Sequence, residues 1–179
     1  MTRGQRRRGY TLVEVTLVLA LMVIIGAVTY PNIEAAYGGI KVEGASDSVR
    51  AAWSEAQAHA VNEGRPYRFD VIPGKGNYRV VPAAATDKPV LVATLPRGIV
   101  FPNPDGSVSP AGNEDTALPD EAVGQGQWVT AAVFLPDGTA EDGQGAQEDV
   151  DVRLQLDGVR PMVVHLRALT GVVTVERGD

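Results

Sequence analysis

The feature that constrains this chain most is one apolar run near its N-terminus. From Tyr10 to Tyr30 there are 21 residues and a single charge, Glu14. As a helix the run is about 31 Å long, close to the hydrocarbon thickness of a bilayer. Arg3, Arg6, Arg7 and Arg8 precede it, and no acid lies before Glu14. The pattern predicts a transmembrane helix with its basic tip in the cytoplasm and the remaining chain outside. A cleaved secretory signal fits less well, because no clear small-x-small site follows Tyr30. On hydropathy alone a plain membrane anchor accounts for the run.

The rest of the chain is patterned differently. Pro31 and Gly38-Gly39 weaken the helix that follows. Helical spacing returns over Ser46–Asn62, where Val49, Trp53, Ala56 and Ala60 share one face. Gly64 and Pro66 then read as a stop. Short strands are predicted over Tyr67–Ile72, Tyr78–Val81, Val90–Thr94, Ile99–Phe101, Trp128–Leu135, Val150–Leu156, Met162–Ala168 and Val172–Glu176. Asn103–Gln127 and Pro136–Asp149 read as loops. The 179 residues are 44% hydrophobic and 21% charged, which suits a globular domain with an added helix. The predicted fold class is α+β.

The details around Glu14 go beyond a plain anchor. Arg6-Arg7-Arg8-Gly9-Tyr10-Thr11-Leu12-Val13-Glu14-Val15 resembles the leader junction of type IV pilins and type II secretion pseudopilins. The resemblance implies a leader over residues 1–9, cut between Gly9 and Tyr10 by a prepilin peptidase that also methylates the new Tyr10 amine. It makes Glu14 the assembly residue and Pro31 the helix-bending proline. Tyr10 stands where the family prefers Phe. A carboxylate inside an apolar segment costs about 2.5–3.5 kcal/mol on insertion scales, so a neutral anchor does better without it. In a filament Glu14 can pair with the Tyr10 amine of a neighbour, and a mispaired register leaves a buried charge unsatisfied.

Ser48–Arg65 and Pro66-Tyr67-Arg68-Phe69 further resemble the H-type minor pseudopilins and FimT-type minor pilins, with Trp53 in place of the expected Arg. Phe134-Leu135-Pro136-Asp137-Gly138 and the hairpin at Thr170-Gly171 match the same group. The resemblance covers the leader, the helix and the end of the domain, but not residues 83–127 or 139–149. It implies a pilin-like fold: a transmembrane and assembly helix over 10–30, a helical stem over 31–64, and a β-sandwich-like periplasmic domain over 65–179. It also implies a single-pass inner-membrane protein that joins a pseudopilus or its tip. Its partners would be other pseudopilins or pilins, the prepilin peptidase, an inner-membrane assembly platform and membrane lipid. A minor type IV pilin, or a single-pass protein with a ligand-binding β domain, are the alternative readings.

Other chemistry finds little footing. With no cysteine, thiol nucleophiles, zinc-thiolate sites and disulfides are excluded. His59 and His165 stand alone, and no hydrolase, metalloprotease or nucleotide-loop motif occurs, so neither an enzyme nor a cofactor is expected. From Asn103 to Asp151 there are eleven acids and no Lys or Arg. Asp137, Glu141 and Asp142 could offer oxygens to calcium, but EF-hand spacing is lacking and a solvated acidic loop is the preferred reading. The chain carries −6 and, without its four leader arginines, −10. That field opposes phosphate, so nucleic acid is not an expected partner, although Arg153, Arg160, Arg167 and Arg177 would form a weak patch on a shared face.

Overall fold

The computed structural model describes residues 10–84, 88–103 and 128–178, with the side chains of 28–36 set aside. It contains one helix, α1 (Leu12–Glu63), among those residues. By contacts the chain divides after Tyr37, and the two parts have different physical characters.

In the first part the side chains from Tyr10 to Ala27 are exposed on every face of the helix. Among the described residues no helix is long and apolar enough to cross a membrane. The transmembrane helix expected over Tyr10–Tyr30 is therefore corrected. The single-pass inner-membrane location and the periplasmic placement of the β domain rested on that span and are corrected with it. What stands is a mixed α+β chain with two antiparallel sheets and no N-terminal transmembrane helix among the described residues.

In the second part α1 buries a single stripe. Val42, Ala45, Val49, Ala52, Trp53, Ala56 and Ala60 recur at three- and four-residue steps, and all are buried. Small residues dominate, so the backbone can approach the sheets closely; Trp53 supplies the bulk. Its ring meets Phe69 edge-on at 5.8 Å and Phe134 at 6.4 Å. Its indole N–H has no acceptor among the described residues. The helix stops at Gly64, whose φ of +66° favours glycine and whose N–H donates to the Ala60 carbonyl.

The strands are β1 (Tyr67–Val71), β2 (Asn77–Pro82), β3 (Leu91–Thr94), β4 (Ile99–Val100), β5 (Val129–Phe134), β6 (Ala140–Asp142), β7 (Val150–Leu156), β8 (Met162–Leu166) and β9 (Val173–Arg177). They form two sheets, ordered β3-β2-β1-β5-β6 and β4-β7-β8-β9. Every pairing is antiparallel. Tyr67, Phe69, Val80 and Phe134 from the first sheet join Leu154, Val164 and Leu166 from the second in one core with the α1 stripe. Strand β6 lies inside the segment that the sequence reads as a loop, held by pairing Phe134 with Ala140.

The β1–β5 register shifts at Phe69/Asp70, so Phe69 faces Ala132 while Asp70 faces Thr130. This bulge aims the Thr130 hydroxyl at Asp70, 2.8 Å away. Arg79 donates to the other oxygen of Asp70 at 2.9 Å, and its guanidinium lies 4.3 Å from the Trp128 ring centroid. Asp70 is only 2% exposed and both of its oxygens are used, which is how the fold tolerates an acid there.

Candidate functional site

The residues singled out for processing and assembly lie at the start of α1. Tyr10 precedes the helix and is 82% exposed. Thr11 is the N-cap: its hydroxyl oxygen accepts the Glu14 N–H at 3.2 Å. Its carbonyl accepts the Val15 N–H, also at 3.2 Å, and so begins the helical ladder. Glu14 is the acid in the first turn, where the helix dipole favours a negative charge. A shallow groove of about 430 Å³ follows one face, lined by Tyr10, Glu14, Val15, Val18, Leu19 and Met22. Glu14 is the one acidic side chain in this largely apolar lining.

Gly9 and the rest of the leader lie outside the described residues. Pro31 falls within α1, which is assigned without a break through it; its side chain, and any bend it sets, lie outside what is described. Thr11 was not singled out in the sequence. The signal was present as Thr-x-x-Glu directly before an apolar run, a pattern typical of helix starts.

Elsewhere the polar residues have local tasks. At the end of α1, Glu63 accepts from Arg65 Nε at 2.8 Å and contacts His59 Nδ1 at 2.9 Å. Hydrogen bonds from Tyr67, His59 and Arg65 hold the Glu63 carboxyl down at about 2. Burial pushes the Tyr67 phenol up. His165 contacts Asp151 at 2.5 Å on β7 and lies 3.8 Å from Glu176 on β9. The two histidines sit in separate clusters, one at the helix end and one on the second sheet.

The described part of the acidic stretch is largely occupied in turns. Asp137 accepts the Thr139 N–H and hydroxyl, which lower its pKa. Asp142 accepts the N–H groups of Gln144 and Ala146 through one oxygen. Asp149 accepts the Ala168 N–H. Among the described residues no group of three or more His, Asp or Glu is placed to hold a metal ion. The 103–127 loop lies, apart from Asn103, outside the described residues. Of the arginines considered as a basic patch, Arg153 and Arg177 do not share a face. Arg153 alternates outward between Val152 and Leu154, on the face that carries Asp151, and Arg177 stands one residue from Glu176, on the opposite side of β9.

Compared with family models, curated proteins and solved structures, the chain matches none.

Proposed function

We propose that this chain is a subunit of a pilin-like filament, of the minor pseudopilin kind. It is made with a short basic leader, cut between Gly9 and Tyr10, and assembled through the exposed first part of α1. The observation that carries this reading is the union of three features in one stretch. The Arg-Arg-Arg-Gly-Tyr junction stands directly before a helix start. The helix then presents apolar side chains all round. Its single carboxylate, Glu14, lies in a groove beside Tyr10. An apolar surface of that extent requires cover. Other copies or related subunits supply it in a filament, with Glu14 setting the register by pairing with the amine of a neighbouring Tyr10.

Intact mass is the test. The full chain is expressed with and without a prepilin peptidase. Loss of Met1–Gly9 plus one methyl group, only with the peptidase, is the expected result. An uncut chain beside an active peptidase overturns the reading. Glu14→Ala then addresses assembly: it should be cut like the parent but enter filaments poorly, and unchanged incorporation would remove the pairing role of Glu14.

A further inference from the structure

We infer that Asp157-Gly158, in the turn between β7 and β8, is a site of spontaneous isoaspartate formation, and so a substrate for a carboxyl methyltransferase that recognises isoaspartyl residues. The inference is independent of the leader and its removal.

The chemistry needs only an Asp-Gly pair and water. The glycine nitrogen attacks the aspartate side-chain carboxyl carbon and a C–N bond forms. One water leaves, made from a carboxyl oxygen with its proton and the amide proton. Water then opens the resulting succinimide. Addition at the side-chain carbonyl restores aspartate. Addition at the main-chain carbonyl leaves the chain running through Cβ and Cγ, one carbon longer, with a free α-carboxylate. The attack requires a carboxyl free to swing, an amide nitrogen free to meet it, and room for the glycine to turn. Glycine suits the role because no Cβ blocks the approach.

Four Asp-Gly pairs occur in the sequence, and Asp105-Gly106 lies outside the described residues. The fold treats the other three differently. At Asp137-Gly138 both reactants are engaged. The Asp137 carboxylate accepts the Thr139 N–H and hydroxyl, and the Gly138 N–H donates to the Leu135 carbonyl. At Asp142-Gly143 the carboxylate is tied to the Gln144 and Ala146 N–H groups. Gly143 is also wedged against β5, where a Cβ would overlap the Thr130 carbonyl oxygen. Asp157-Gly158 carries none of these restraints. Both residues are exposed, and among the described residues neither the Asp157 carboxylate nor the Gly158 N–H has a hydrogen-bond partner. A Cβ on Gly158 would meet nothing within 4 Å. The Val159 N–H donates to the Leu156 carbonyl at 3.1 Å, which presents the pair at the tip of the turn.

The residue that follows gives the product a structural consequence. Val159 packs so close to α1 that a Cβ on Gly38 would lie 2.6 Å from its Cγ2. An extra backbone carbon at position 157 displaces that contact.

The test ages the folded full chain in mildly acidic buffer made with heavy-oxygen water. Its peptides are then mapped by fragmentation that separates isoaspartate from aspartate. Isoaspartate carrying one heavy oxygen should collect at position 157 several-fold faster than at 137 or 142. In urea the three pairs lose their different surroundings, and their rates should draw level. An isoaspartyl methyltransferase with S-adenosylmethionine should label the tryptic peptide 154–167 of the aged parent. The same peptide of Asp157→Glu should stay unlabelled, because glutamate would have to close a larger ring. No isoaspartate at 157 in the folded chain, or equal rates at the three positions while folded, overturns the inference. A rate ratio that urea leaves unchanged also overturns it, since the difference would then lie in the local sequence.

Discussion

The two parts of α1 share one helix and follow opposite rules. From Gly38 to Glu63 the helix has one buried stripe, and its exposed faces carry mostly polar and small residues together with Ile40 and Val61. From Leu12 to Ala27 it is mostly apolar, and its side chains are exposed on every face among the described residues. The second part is explained by the folded domain it belongs to. Leu17, Val18 and Ile24 in the first part stay exposed among the described residues, although burying them would stabilise. Packing within the domain accounts for the stripe of the second part, and the described residues leave the first part exposed.

The largest effect that tests this contrast is at Trp53. Trp53→Ala empties the contact with Phe69 and Phe134 and should cost about 3–5 kcal/mol in urea unfolding of the full chain. A loss under 1 kcal/mol would mean that the stripe is not the anchor described here. The adjacent glycines sharpen the boundary. A Cβ on Gly38 would lie 2.6 Å from Val159 Cγ2, whereas one on Gly39 meets nothing within 4 Å. Gly39→Ala should stabilise by about 1 kcal/mol through helix propensity. Gly38→Ala should be less stable than Gly39→Ala by about 1–3 kcal/mol, the usual cost of overpacking. Equal melting temperatures for the two variants would refute the close approach.

Acid should weaken the end of the second part. Glu63 is held at about 2 in the folded chain, below its ordinary 4.5. A depressed carboxyl pKa contributes stability that is fully present above about 4.5 and lost as pH falls toward 2. The Tm difference between the parent and Glu63→Gln should therefore be greatest near neutrality and close up between those values. A difference that is constant across the window would exclude this network. The smallest effect belongs to the first part. Val18→Ser should change unfolding free energy by less than about 0.5 kcal/mol, yet reduce self-association measured by sedimentation. If Val18→Ser unfolded the domain, the contrast between the two parts would fail.

Sequence periodicity revealed the stripe from Val49 to Ala60, because a helix face repeats within a few residues. It did not reveal the extension to Val42 and Ala45, since Gly38, Gly39 and Gly44 mask the pattern with residues of low helix propensity. Strand β6 was missed for a different reason: Ala-Glu-Asp has no strand character, and its pairing partner Phe134 supplies the order. The Asp70–Arg79–Thr130 cluster needed the bulge in β5, which no local signal announces. The membrane span predicted over Tyr10–Tyr30 fails, because among the described residues no helix is long and apolar enough to cross a membrane. At the candidate site, Tyr10 and Glu14 were legible through motif spacing, while the N-cap at Thr11 emerged only with the hydrogen bond to Glu14.

The order of the first sheet sets a schedule for synthesis. Strand β1 has two neighbours, β2 shortly after it and β5 far beyond. Its pairing ends at Val71 on one side and resumes at Val129 on the other, 58 residues later. At roughly 5–20 residues per second a ribosome takes about 3–12 s to deliver β5. Throughout that interval β1 can join β2, which in turn takes β3, but the opposite edge of β1 has no strand to receive. The nascent chain thus passes through a period with an unpaired edge beside Phe69, during which a chaperone or a second nascent chain competes with β5 for the same hydrogen bonds.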